Sequence, residues 1–262
     1  MKTKIFCDSA DFKTIKELNN NPLVQGFTTN PSLMRLSGAK NYKTIKKLNK
    51  NYLVDGFTTN PSLMKISGAK NYKKYSLKLL KVCKKKPISF EVFGDTFDEM
   101  LRQAMIINSW GSNVYVKIPV VNSKGLYCGK VIKILSRRGL KLNITAVYTV
   151  NQVRKIRKSI NKNSKTIISI FSGRMSDVGK DPVPIIKESI KLTKKIKKVE
   201  ILWASTREAY NYLQAKNYGC QIITMPPSII KKISMFGKTH RELTLDTVKK
   251  FLKDSKESNF KI

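Results

Sequence analysis

Short runs rich in β-branched and aromatic residues recur along this chain, and amphipathic stretches separate them. The strand candidates are 4–9 (KIFCDS), 54–59 (VDGFTT), 88–93 (ISFEVF), 114–119 (VYVKIP), 141–146 (KLNITA), 166–171 (TIISIF), 199–204 (VEILWA) and 220–225 (CQIITM). The helical stretches include 96–108, 149–161, 182–197 and 206–216. Leu101, Met105 and Ile106 share one helical face, as do Ile185, Ile186 and Ile190. Strands that alternate with helices form parallel βαβ units. Eight such units within 262 residues predict one α/β domain spanning 1–262, a (β/α)8 TIM barrel. An open doubly wound sheet is the alternative. That fold normally carries a glycine-rich turn after a strand, and GxGxxG does not occur here. The nearest phosphate-loop-like stretch, Gly125 to Lys130, has the wrong spacing and no Ser or Thr after the lysine.

The eight-strand count takes one copy of a repeat. Residues 13–42 and 43–72 are a tandem duplication in which only six of 30 positions differ, and nothing later continues the period. A solenoid needs about three or more units, so this is a duplicated segment around strand two and not a repeat fold. Strand number, tilt and stagger are linked in a barrel. The expectation is therefore that one copy forms strand two and the other is extruded.

Charge changes the picture less than its size suggests. Fifty-two Lys and Arg against 17 Asp and Glu give a net charge of +35. Such a balance raises the possibility of a nucleic-acid or anionic-surface partner. The lysines, however, are spread along the chain and are not interleaved with stacking aromatics. We read them as solvated helix faces, with salt-sensitive nonspecific polyanion binding and no specific nucleic-acid partner. No apolar run approaches the roughly 18 residues of a membrane span, and the N-terminus lacks the apolar core of a secretory signal. The expectation is a cytoplasmic protein without a membrane partner. Cys7, Cys83, Cys128 and Cys220 form no CxxC pair, so no metal site is expected.

The informative residues are polar groups inside strands, where burial demands a reason. Asp8 ends the first strand, and Glu91 and Lys117 lie within the third and fourth. Asn143 and Thr145 alternate in the fifth and so face one side, and Ser169 lies in the sixth. Any one of these also reads as an edge residue or a local salt bridge, but six of them on five strands together point to a lumen. In this fold the chemistry sits at the C-terminal ends of strands. A lysine sequestered there is drawn toward its neutral amine, which attacks a ketone to form an iminium, an electron sink that needs no cofactor. Proton traffic falls to Asp8 and Glu91. The sole histidine, His240, lies in a polar stretch and is expected to be exposed. Phe171-Ser172-Gly173-Arg174 and Ala204-Ser205-Thr206-Arg207 follow the sixth and seventh strands, where barrels often hold phosphate. Ser205 or Thr206 is alternatively a helix cap.

These segments resemble the transaldolases, especially the small-subunit type close to fructose-6-phosphate aldolases. The resemblance rests on Ile5-Phe6-Cys7-Asp8, residues 54–63 (VDGFTTNPSL), Phe90-Glu91-Val92, Val116-Lys117-Ile118-Pro119, Asn143-Ile144-Thr145, residues 171–175 (FSGRM) and residues 204–207 (ASTR), in order from residue 5 to about 235. It implies a Schiff base on Lys117, with Asp8 as proton shuttle and Glu91 with Thr145 and a water in the dehydration step. It also implies that Asn60, Asn143 and Ser169 surround the dihydroxyacetone unit, while Arg174, Ser205 and Arg207 hold the sugar phosphate. The implied reaction moves dihydroxyacetone from sedoheptulose 7-phosphate to glyceraldehyde 3-phosphate, in the non-oxidative pentose phosphate pathway, without a cofactor.

Aldolases of the group tend to carry Gln at the position of Glu91 and Tyr at that of Phe171, so both positions favour the transferase over an aldolase releasing free dihydroxyacetone. The family has one TTNPS segment and this chain has two. Copy two runs directly into the third strand's unit, which places Asn60 ahead of Asn30 as the functional asparagine. The resemblance also implies a homo-oligomer built on the C-terminal helix, here with Leu245, Val248, Phe251 and Leu252 at helical spacing. A charge of +35 per subunit would oppose such assembly at low salt.

Overall fold

Strands of a parallel sheet are covered on both faces and therefore tolerate long apolar runs. The computed structural model of the protein describes residues 3–8, 26–28, 57–58, 71–83 and 87–258. Its strands are β1 (Lys4–Asp8), β2 (Gly26–Thr28), β3 (Phe57–Thr58), β4 (Ile88–Glu91), β5 (Val114–Pro119), β6 (Leu142–Val147), β7 (Thr166–Ile170), β8 (Val199–Trp203) and β9 (Ile222–Met225). They form one sheet in the order β2-β1-β9-β8-β7-β6-β5-β4-β3, and every ladder is parallel.

The helices are α1 (Tyr72–Cys83), α2 (Phe97–Asn108), α3 (Gly129–Arg137), α4 (Val150–Ser159), α5 (Ser172–Ser176), α6 (Val183–Thr193), α7 (Tyr210–Asn217), α8 (Pro227–Ile233) and α9 (His240–Ser258). Three of them start on capping boxes, α9 among them through Thr239 and Glu242. Thr96 with Glu99 opens α2, and Thr149 with Gln152 opens α4. Each box satisfies backbone donors that a helix start leaves orphaned. The expected helix at 206–216 begins later, at Tyr210. Neither Ser205 nor Thr206 caps it, because Asn211 Oδ1 takes the amides of Arg207 and Glu208 instead. The glycine stretch at 125–130 is a turn entering α3. Gly125 adopts φ +76°, which favours glycine, and a Cβ on Gly129 would lie 2.2 Å from the Tyr127 ring.

Alternation along the strands divides the apolar residues into two sets. Val116, Ile118, Ile144, Ile168, Ile170, Ile201 and Ile223 face the helices and join the main core with Met100, Ile132 and Ile156. Tyr115, Ile167, Leu202, Ala204 and Ile222 form a separate small cluster. Two cores on opposite faces of one sheet are what a sheet curled around a filled lumen requires.

The duplication behaves differently from the expectation. Both copies supply strand residues, so among the described residues the sheet has nine strands and not eight. Copy one gives β2, which pairs with β1 through Phe6↔Gly26, Cys7↔Phe27 and Asp8↔Thr28. Copy two gives β3, which pairs with β4 through Phe57↔Ile88 and Thr58↔Ser89. The same Phe-Thr pair thus occupies each edge, and among the described residues β2 and β3 come within 8 Å between Cα atoms without a ladder joining them. The reason is proximity along the chain. Each copy pairs with the strand nearest to it in sequence, which keeps connections short.

Because the two copies carry the same strand, one suffices to pair with both β1 and β4. Deleting residues 13–42 is expected to leave a cooperatively folding protein whose melting temperature equals or exceeds that of the full chain. A deletion protein that unfolds without a cooperative transition would show that both copies are needed.

Candidate active site

Register sets the centre of the concave face. Glu91 of β4 lies opposite Lys117 of β5, and Lys117 lies opposite Asn143 of β6. Lys117 Nζ donates to Glu91 Oε2 at 3.2 Å, and the side chains are only 15% and 26% exposed. Among the described residues the charged partner of Lys117 is this carboxylate.

Glu91 is held from the backbone side. The Tyr72 hydroxyl accepts from Glu91 N at 3.0 Å and donates to Glu91 O at 3.2 Å. Tyr72 is the last residue of copy two. Its ring packs edge-on to Phe90, Phe93 and Trp110, with centroids 6.3, 4.5 and 5.6 Å away. Composition alone would not mark this residue. The signal was its place at the junction between the duplicated segment and α1.

Asn143 is 1% exposed. Its Nδ2 donates to Ser89 Oγ at 3.2 Å, and its Oδ1 accepts from Ser169 Oγ at 2.8 Å. This chain of three residues links β4, β6 and β7 along the concave face and fixes the amide's orientation. It leaves Asn143 one N–H and one acceptor lone pair for another group. Thr145 is also buried, and its Oγ1 finds no hydrogen-bond partner among the described residues. An orphaned buried hydroxyl carries a desolvation cost that a bound water or ligand would relieve. Just beyond it β6 changes register, and Ala146 adopts φ +59°.

The two serine-arginine loops meet at one side of this centre. Gly173 N donates to Ala204 O at 3.3 Å. Ser205 adopts a left-handed φ of +60°, a conformation that costs a non-glycine residue roughly 1–3 kcal/mol. The turn lays the Ser205 carbonyl against Gly173, where a Cβ would lie 1.5 Å from that oxygen. Arg174 is exposed and stands 5.8 Å from the Phe171 ring centroid. Arg207 makes a two-pronged ion pair with Asp177, Nε to Oδ1 at 3.0 Å and a terminal nitrogen to Oδ2 at 2.5 Å. The Arg207 hydrogen bond is the main cause that holds the Asp177 carboxyl below its ordinary range. Sequence reasoning named both arginines but missed this counter-ion and the need for glycine at 173.

The structure therefore brings together Glu91, Lys117, Asn143 and Ser169. It places Thr145, Phe171, Arg174, Ser205 and Arg207 on the same ends of neighbouring strands. Asp8 closes β1 opposite Thr28, and its side chain lies outside the described part. Asn30 and Asn60 lie outside the described residues. His240 is exposed, as expected. No group of three or more metal-binding side chains occurs among the described residues.

A family model described as Transaldolase/Fructose-6-phosphate aldolase matches this chain over residues 5–44 and again over 39–262. The first match ends just beyond copy one, and the second carries copy two. A protein of Nitrosopumilus maritimus named probable transaldolase is 34% identical over 253 residues, covering 96% of this chain and 94% of its own. Proteins with the same name from Streptococcus equi subsp. zooepidemicus and Herpetosiphon aurantiacus are 33% and 30% identical, covering 96% and 88% of this chain and 97% and 86% of theirs.

Among solved structures, the fold resembles 3-hexulose-6-phosphate synthase from Salmonella typhimurium, with a TM-score of 0.51, 11% identity and coverage of 88% and 91%. It also resembles a dihydrodipicolinate synthase family protein from Coccidioides immitis, with a TM-score of 0.50 and 10% identity. This chain is matched over 85% of its own length there and spans 65% of that protein's. At such identities the likeness concerns the fold alone.

Gly173→Ala is expected to destabilise the protein by roughly 1–3 kcal/mol, the usual cost of overpacking, because the Ser205 carbonyl sits where the methyl must go. Chemical denaturation measures it, and a midpoint unchanged from wild type would contradict the close approach.

Proposed function

We propose, from the premise that this chain belongs to the transaldolase and fructose-6-phosphate aldolase family, that it is a transaldolase working through a Schiff base on Lys117. The observation that carries the reading is the Lys117–Glu91 pair at 3.2 Å within the concave face, with the unpartnered Thr145 hydroxyl on the next strand.

In this reading each step has its residue. Glu91 takes a proton from the Lys117 ammonium, and the free amine adds to the ketose carbonyl. Glu91 returns the proton to the carbinolamine hydroxyl, which leaves as water, and a water held at Thr145 Oγ1 relays it. The iminium then accepts the electron pair of the breaking carbon–carbon bond. Asp8 takes the proton from the hydroxyl that becomes the departing aldehyde. The remaining N–H of Asn143 holds a hydroxyl of the enamine, beside Ser169. Asn60, or its counterpart Asn30, completes this contact. The donor is a phosphorylated ketose such as sedoheptulose 7-phosphate or fructose 6-phosphate, and the acceptor is an aldose phosphate. The fold is read as a (β/α)8 barrel in which the two copies share the position of strand two.

Arg174, Ser205 and Arg207 form the phosphate site in this reading. Asp177 occupies Arg207 until a phosphate replaces it. Phe171 favours transfer over release of free dihydroxyacetone. Its ring packs against the lumen cluster and lies 5.8 Å from Tyr148, and it offers no hydroxyl to hold a water. We place the protein in the cytoplasm, since its phosphorylated substrates are found there, and read the exposed apolar residues of α9 as a contact between subunits.

Incubation with fructose 6-phosphate and borohydride should leave a dihydroxyacetone-sized mass on Lys117, absent from Lys117→Met. A folded wild-type protein that gains no such mass would remove the Schiff base from this account. Asp177→Asn should lower the KM for the phosphorylated donor several-fold with kcat little changed, since it frees Arg207 of its competitor. A KM that rises instead would make Asp177 a support for Arg207 and not a rival of the phosphate.

A further inference from the structure

The opposite end of the sheet holds a second concavity that this chemistry does not use. A cavity of about 690 Å³ opens at the N-terminal ends of β1, β4, β5, β7, β8 and β9, under the segment that follows α6. Of the residues at the candidate active site, only Ser89 also lines it, from below Asn143.

Charge is strongly one-sided there. Lys4, Lys165, Lys194, Lys197 and Lys198 line the cavity, against the single carboxylate of Glu200. Lys4 pairs with Glu200 at 3.0 Å, which leaves four lysines without a carboxylate within the lining. Crowding of like charge is already felt at the rim. Burial first, and then the neighbouring Lys165, lower the pKa of Lys141 below its ordinary value.

The floor supplies a second, independent observation. Tyr115 lines the cavity, is only 8% exposed, and its hydroxyl makes no hydrogen bond among the described residues. Burial, and then the Glu200 charge, push this phenol up to about 12, so at neutral pH it keeps its proton as a donor. Ile167 and Ile222 flank it with apolar surface.

We propose that this basal cavity binds an organic polyphosphate of nucleotide size, with its phosphates among the lysines and the Tyr115 hydroxyl donating at the floor. Lysines act as point charges suited to phosphate, whereas planar carboxylates are best matched by arginine forks, and among the described residues no arginine lines this cavity. The volume falls in the range of roughly 300–1,000 Å³ that holds a small organic ligand, more than a bare ion needs.

The test is calorimetric titration of the full-length protein with ATP and with inorganic triphosphate, at about 150 mM salt where charges beyond roughly 8 Å are screened. Two triple variants of equal charge change are compared. Lys194→Gln/Lys197→Gln/Lys198→Gln alters the cavity, and Lys249→Gln/Lys250→Gln/Lys253→Gln alters exposed positions of α9. The expected result is saturable one-to-one ATP binding, tighter than that of triphosphate, weakened about tenfold or more by the cavity triple and hardly at all by the α9 triple. Tyr115→Phe should weaken it as well, with the melting temperature confirming the fold. Equal weakening by both triples would reduce the binding to general attraction by a +35 protein and overturn the proposal. So would an ATP affinity no better than that of triphosphate, a Tyr115→Phe protein that binds as wild type does, or the absence of saturable binding.

Discussion

A lysine can sit inside the concave face of a parallel sheet only if something nearby takes up its charge. Here the register of β4 against β5 does this, setting Glu91 beside Lys117. Much of the site follows from that pairing. The carboxylate must be held at the right depth, and Tyr72 does so by clasping the backbone of Glu91 on both its amide and its carbonyl. Below the pair, the Ser89–Asn143–Ser169 chain locks the neighbouring amide without consuming all of its hydrogen-bonding capacity. A slip of β5 by one residue against β4 would turn Lys117 into the apolar helix-facing core and leave Glu91 without its partner.

The anion-binding side obeys a different constraint, that of backbone proximity. Gly173 and the left-handed Ser205 bring two loops into contact, which sets Arg174 and Arg207 on one rim. An arginine on an open rim takes a partner, and Asp177 provides it. Such an exposed pair contributes little to stability. In the proposed reading its consequence is for binding, because an incoming phosphate competes with a carboxylate already in place. At the other end of the sheet the lysines meet only Glu200, and that cavity is left with a surplus of positive charge.

The duplication places a copy of one short strand at each edge of the sheet. Each copy of the Gly-Phe-Thr-Thr run is equally able to pair with β1 or with β4. Sequence proximity assigns copy one to the first and copy two to the second. Copy two also carries Tyr72, whereas the equivalent Tyr42 of copy one is followed by another repeat. The two copies are therefore alike as strands but unlike in what they deliver to the site.

Sequence alone determined the alternation of strands and helices, the parallel α/β class and the lumen-facing Lys117, Glu91, Asn143, Thr145 and Ser169. These properties are local. Side-chain direction alternates with a period of two along a strand, and an ionisable residue in an apolar run is visible without coordinates. The seven ordered segments that resemble the transaldolases were equally legible, and the family match bears them out. Only the tertiary structure decided which carboxylate meets Lys117, that Tyr72 clasps Glu91, that Asp177 occupies Arg207, that Asn211 and not Ser205 or Thr206 receives the loop amides, and that both copies enter the sheet. Each of these is a relation between residues set by register, loop approach or competition among identical strands. No single position in the chain encodes such a relation by itself, because it exists only once the partner has been brought near.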